Sequence, residues 1–175
     1  MKLHYLSKIK TVMGLVFAAY CGMLHAASED VQLKMFGSDS LVDITSAKSG
    51  QPFMMVLWSI DCPPCIKELS LFRDFQPQLS KKNIVLISID GSEPVSVIQQ
   101  VLADHQLGEL DQWIFSGEMV ERLRYAIDPE WYGELPRTYF YEREGNRVAH
   151  SGMLTEKILT EWLQYSESLP KAVSK

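Results

Sequence analysis

Two of the chain's three cysteines, Cys62 and Cys65, stand two residues apart in "WSIDCPPCIKELS", Trp58 to Ser70. Cysteines at i and i+3 on the first turn of a helix lie on one face, at a separation that disulfide geometry tolerates. Such a pair opens and closes with little backbone movement. With Cys62 at a helix N-terminus, unpaired backbone N–H groups and the positive end of the dipole favour its thiolate, the form that attacks a disulfide. Cys65, inside the first turn, is the less accessible thiol and the one placed to resolve a mixed disulfide. Glu68 falls one turn further on the same face, within direct or water-mediated proton transfer of Cys65. Its competing reading is a solvated helix carboxylate beside Lys67.

Two other roles for the pair must be weighed. As a pure cross-link it would close so short a loop that it restrains the unfolded chain by only roughly 2 kcal/mol, against about 4.7 kcal/mol for a 100-residue loop. As half of a structural zinc site it would need four ligands. Beyond residue 27 the chain adds only His105 and His150, which are isolated from each other and from the cysteines. No metal and no separate cofactor are expected: the dithiol itself is the redox group.

The elements that must hold this site follow from periodicity. "FMMVLWS" (Phe53 to Ser59) is a continuous apolar run of strand length, as in a central strand covered on both faces. After the cysteines, Ile66, Leu69, Phe72 and then Phe75 or Leu79 recur at helical spacing, with Pro63 and Pro64 suited to a first helical turn and Pro77 to its end. "NIVLISID" (Asn83 to Asp90) reads as the next buried strand, and "EPVSVIQQVLADHQLG" as a helix stopped by Gly108. Strand, helix, strand, helix is a parallel α/β unit.

Further on, "QWIF" reads as a short strand, "GEMVERLRYAI" as a helix and "DPEWYGEL" as a loop. "RTYFYER" and "RVAHSG" form a hairpin turned at Gly145-Asn146, and "TEKILTEWLQYSESL" is a closing amphipathic helix capped by Thr155. Before the first cysteine strand, Val31 to Ala47 reads as two extended pieces around a Gly-Ser-Asp-Ser turn, a small N-terminal hairpin.

The chain begins differently. "MKLHYLSKIK" carries three lysines and no acid, and the roughly 14-residue apolar stretch that follows is nearer a signal-peptide core than the ~20 residues of a spanning helix. The expected organisation is a signal peptide over residues 1–27, with cleavage after Ala27, and one domain over 28–175. Bulky residues at Leu24 and His25 keep an uncleaved anchor as the alternative, while Tyr20 argues against lipid attachment at Cys21. Cleavage removes Lys2, Lys8, Lys10 and Cys21 but no acid, taking the formal charge from −5 to −8. So acidic a protein has no basic surplus for nucleic acid.

"VLWSIDCPPCIKEL", the Gly-X-X-Pro-X-Thr-X-Phe form of "GELPRTYF" and the hairpin "EREGNRVAHSG", in that order behind a signal-like leader, resemble the thioredoxin superfamily and within it the periplasmic TlpA/ResA-like thiol-disulfide oxidoreductases. The resemblance spans roughly residues 31–169. It implies an α/β thioredoxin-like fold, a mixed sheet flanked by helices, with an inserted element between the βαβ and ββα halves. It also implies a cis Pro136 facing the cysteines and an active-site role for Glu68. Its partners would be disulfide- or dithiol-containing envelope proteins and a membrane electron donor for re-reduction. Trp58, Pro63, Pro64, Leu135 and Arg137 are the candidate partner contacts.

The chain departs from the family at Asp61, where tryptophan is common, at Ser70, where a helix-kinking proline is usual, and at Val56, where cytoplasmic thioredoxins bury an aspartate. Arg137 replaces a small polar residue after the proline; it either reads an acidic or carbonyl feature of a partner or is an exposed strand-end arginine. Trp131 and Tyr132 either border a partner groove or pack in the core. A peroxiredoxin is excluded, since the threonine expected before a peroxidatic cysteine is missing. Three functions fit: a reductase of protein disulfides, an oxidase or isomerase in oxidative folding, and a non-catalytic binding or metal-delivery module. The Pro-Pro dipeptide lacks the histidine of strongly oxidising sites, which leans toward the reductase.

Overall fold

The computed structural model describes residues 31–79, 84–91, 95–117 and 120–168. The expected signal peptide over residues 1–27 and its expected cleavage point lie outside them. In chain order the elements are β1 (Lys34–Phe36), α1 (Ser40–Ala47), β2 (Phe53–Trp58), α2 (Pro63–Asp74), α3 (Gln76–Leu79), β3 (Ile84–Ser88), α4 (Val95–Asp104), β4 (Asp111–Phe115), α5 (Val120–Ile127), β5 (Arg137–Tyr141), β6 (Arg147–Ser151) and α6 (Glu156–Ser168).

The six strands form one mixed sheet in the order β1-β4-β3-β2-β5-β6. The first four run parallel, while β5 pairs antiparallel with β2 and β6 antiparallel with β5. All six residues of β2 are buried, because alternate side chains enter two cores. Met54, Val56 and Trp58 join Leu69 and Phe72 of α2, Ile98 and Leu102 of α4 and Leu159 of α6. Phe53, Met55 and Leu57 face Ile44 of α1 and Leu123 and Ile127 of α5. The fold is thus a thioredoxin-like α/β sandwich of helices around a mixed sheet. The stretch between Asp90 and Pro136 is α4, β4 and α5, and β4 enters the sheet between β3 and β1.

The N-terminal hairpin does not form. Only its first arm is a strand, and that strand pairs in parallel with β4, Lys34 opposite Trp113 and Phe36 opposite Phe115. The second arm is α1. "LVDIT" alternates well enough to read as extended, but Leu41 and Ile44 are also at helical spacing, and packing Ile44 into the core with Leu41 against it favours the helix. The turn between them is closed by Gly37 N–H donating to Ser40 Oγ at 2.9 Å.

Helix stops also differ in detail. Pro77 lies in the separate short α3, after α2 has ended at Asp74. Helix α4 is ended by Gln106, at φ +57°, rather than by Gly108. Leu107 N–H bonds the Leu102 carbonyl and Gln106 N–H the Ala103 carbonyl, both at 2.9 Å, the paired bonds of a Schellman stop. Thr155 does cap α6, its Oγ1 accepting the Ile158 N–H at 3.3 Å.

Candidate active site

The site lies at the C-terminal ends of β2 and β3, where chain leaving a parallel sheet converges. Cys62 is the N-cap of α2 in extended conformation (φ −111°, ψ 95°), and it forms a disulfide with Cys65 across a Cα–Cα distance of 5.2 Å. Cys62 is half-buried, Cys65 fully buried. Pro63 and Pro64 fill the first two helical positions, where a missing N–H breaks no helical bond. They also leave Cys65 with the first free amide of the helix. That N–H donates to Cys62 Sγ at 3.2 Å, while the next, Ile66 N–H, is taken by the Cys62 carbonyl.

Glu68 follows one turn later and is 1% exposed. It is no solvated carboxylate. Burial pushes its pKa up to about 7, against the opposing pull of the Leu154 N–H, which donates to Oε1 at 2.7 Å. Leu154 lies in the β6–α6 loop, whose Gly152 N–H donates to the Pro136 carbonyl at 2.9 Å. The Leu135-Pro136 peptide is cis. One short loop therefore holds both the glutamate on α2 and the proline before β5.

The remaining candidates divide. Pro63 and Pro64 are exposed beside Cys62, and Leu135 is half-buried. Trp58 is 1% exposed, so its indole packs in the core under the site and is not a partner contact. Arg137 is neither free nor exposed. Its guanidinium pairs with Asp128 at 3.2 Å and Glu134 at 2.9 Å, bonds Ser151 Oγ and lies over the Tyr139 ring. Its charge is spent inside the protein, which removes it as a reader of partners. Trp131 is buried, its Nε1 donating to the Glu134 carbonyl, whereas Tyr132 is 89% exposed.

Val56 is fully buried and Asp61 exposed. In place of a proline kink, Ser70 Oγ donates to the Ile66 carbonyl and lies 3.3 Å from His105 Nε2, whose Nδ1 is 2.7 Å from the Val101 carbonyl. His105 joins α2 to α4, and among the described residues no three His, Cys, Asp or Glu side chains gather as a metal-ligand group.

Sequence reading missed three groups. The Leu154 amide carries no side-chain signal. Asp128 needs the folded sheet to reach Tyr139, Arg137 and Arg147. Asp90, visible only as the last residue of an expected strand, accepts the Ser59 hydroxyl at 2.5 Å and the Ile60 N–H at 3.0 Å beside the cysteine turn.

No family model and no curated protein matches the sequence. Solved structures do match its fold. A secreted Mycobacterium tuberculosis disulfide oxidoreductase homologous to E. coli DsbE superposes with a TM-score of 0.55 at 15% identity, covering 69% of this chain and 85% of that one. A thiol:disulfide interchange protein of the thioredoxin family from Chlorobium tepidum gives 0.55 at 11% identity, over 70% and 83%. A secreted thiol-disulfide isomerase from Corynebacterium glutamicum gives 0.54 at 14%, over 71% and 75%. At these identities the likeness establishes the thioredoxin-like fold.

Proposed function

We propose that the protein is a thiol-disulfide oxidoreductase of the cell envelope, acting as a reductase of protein disulfides. The observation that carries this reading is the Cys62–Cys65 disulfide at the head of α2 with buried Glu68 one turn behind it. The solved proteins of like fold include secreted disulfide oxidoreductases and isomerases, and a signal-like leader precedes the domain. Among the described residues no helix is long and apolar enough to cross a membrane.

In the dithiol state Cys62 is the attacking thiolate. It bonds one sulfur of a partner disulfide, and the other partner sulfur leaves as a thiolate that takes up a proton. Cys65 then gives its proton to the Glu68 carboxylate and attacks Cys62 Sγ, forming the Cys62–Cys65 disulfide and releasing the second partner thiolate. The partner gains two electrons and the protein loses two. An external dithiol donor at the membrane restores the reduced pair.

The test is the reduction potential of the couple, by equilibration against glutathione or a dithiol buffer, together with trapping by Cys65→Ser. A potential below roughly −220 mV and accumulation of a Cys62 mixed disulfide support a reductase. A value near the −120 mV of a strong oxidant sinks the direction proposed. Full function of Cys65→Ser, or metal retained by the dithiol, points to the binding module instead.

A further inference from the structure

We propose that Asp90 is a positioning residue for Cys62: its carboxylate fixes the turn from Ser59 to Cys62 and thereby sets how readily Cys62 becomes a thiolate. The inference rests on the exchange reading for its consequence, while its geometry stands on separate bonds. Asp90 lies two residues beyond β3. Its Oδ1 accepts the Ser59 hydroxyl at 2.5 Å, and its Oδ2 accepts the Ile60 N–H at 3.0 Å and the Ser88 hydroxyl at 2.6 Å. Ser59 passes the constraint on, its Oγ accepting the Asp61 N–H at 3.1 Å and its carbonyl the Cys62 N–H at 3.3 Å. Three consecutive amides, at residues 60, 61 and 62, are thus committed to Asp90 or to the serine it holds. Below them Ile89 N–H bonds the Trp58 carbonyl at 3.0 Å, tying the ends of the two strands.

The turn needs that rigidity because the prolines leave one amide in the first helical turn, Cys65 N–H, to meet Cys62 Sγ. A charge-assisted hydrogen bond weakens steeply with misalignment, so a single donor tolerates little movement of the sulfur. Loss of Asp90 leaves the Ser59 hydroxyl and Ile60 N–H without their acceptor, lets the turn shift and withdraws the thiolate's donor. The Cys62 thiol pKa should then rise. Asp90 acting only as a nearby negative charge has the opposite sign, since removing an anion lowers a neighbouring thiol's pKa. The sign therefore separates positioning from plain electrostatics.

The test follows alkylation of Cys62 by iodoacetamide against pH in the reduced full chain, with peptide mass spectrometry distinguishing Cys62 from Cys21 and Cys65. Asp90→Ala and Ser59→Ala should each raise the midpoint by about one pH unit, slowing alkylation near neutral pH by about tenfold, since one unit is a tenfold change in thiolate fraction. Ser59→Thr keeps the hydroxyl and should restore the wild-type midpoint. An unchanged or lowered midpoint in folded Asp90→Ala overturns the proposal, as does a change confined to thermal stability. If Asp90→Ala fails to fold, Ser59→Ala and Asp90→Asn decide on the same sign. Alkylation requires no disulfide partner, so an inactive wild type would remove the exchange reading while leaving the midpoint to decide the role of Asp90.

Discussion

Glu68 and Leu154 are 86 residues apart in the chain, yet the carboxylate of one accepts the backbone N–H of the other at 2.7 Å. That bond spans the fold from the cysteine helix to the loop before α6, and it gives a buried acid one polar partner in an otherwise apolar setting. A carboxyl so placed keeps its proton to higher pH, because burial penalises the charged form more than one amide rewards it.

Stability should therefore respond to pH through Glu68. Its folded pKa is raised from 4.5 to about 7, so between those values the folded chain holds a proton that the unfolded chain has released. The contribution is fully present below about pH 4.5 and is lost as pH rises toward 7, by roughly 3 kcal/mol. Glu68→Gln, which keeps an acceptor for Leu154, should flatten this slope. Urea unfolding at pH 4.5, 6 and 8 measures it; equal slopes in the two proteins would refute the assignment.

The first turn of α2 offers a second test. Pro64→Gly adds an N–H where the present sequence has none, at the second helical position from which an N-cap side chain accepts. One added charge-assisted bond at a half-exposed sulfur is worth about 1.5 kcal/mol, which should lower the Cys62 alkylation midpoint by about one pH unit and shift the couple toward the oxidising side. No movement of either quantity would mean that the dipeptide does not tune this site.

Asp128 anchors the strand that follows Pro136. It accepts Tyr139 Oη–H at 2.8 Å, Glu130 N–H at 3.1 Å and the Arg137 guanidinium at 3.2 Å, with Arg147 at 3.7 Å. Burial raises its pKa, but these bonds and the arginine charges outweigh burial and hold it below 3.8. Its contribution is thus present above pH 3.8 and lost as pH falls through the lowered folded value. Asp128→Ala should cost about 1–3 kcal/mol at neutral pH, since it takes the acceptor from the buried Tyr139 hydroxyl and the Glu130 N–H, while Arg137 keeps Glu134 and Arg147 keeps the Ile127 carbonyl. Chemical denaturation reads this directly, and a loss under 0.5 kcal/mol, the scale of ordinary surface changes, would be incompatible with the network.

Gln106 sits in the left-handed region at φ +57° and is exposed. Gln106→Gly should stabilise the protein by about 0.5–1 kcal/mol, because glycine carries no Cβ penalty at a helix stop. A lowered urea midpoint would show that the glutamine side chain contributes more than its backbone costs.

The cysteine helix was legible because its signals are local. Prolines at its first two positions, the i, i+3 placement of Cys62, Cys65 and Glu68, and the apolar positions Ile66, Leu69 and Phe72 all lie within one window. The same holds for β2, whose unbroken apolar run has one stable use, burial on both faces. The first segment failed on the same logic. "LVDIT" satisfies two periods over so few residues that burial of Ile44 decided between them.

By itself, the sequence determined the α/β order, the dithiol at a helix head and the hairpin that follows Pro136, since each depends on periodicity or turn chemistry over a few residues. Tertiary structure alone decided that β1 pairs with β4, that Arg137 turns inward to Asp128 and Glu134, that Leu154 reaches Glu68 and that Asp90 holds the turn into Cys62. Those partners are 3 to 86 residues apart in sequence, and most meet only when the sheet brings strand ends and loops together. Hydrophobic burial fixes where the backbone runs, and the polar groups left inside must then find whichever partners that path supplies.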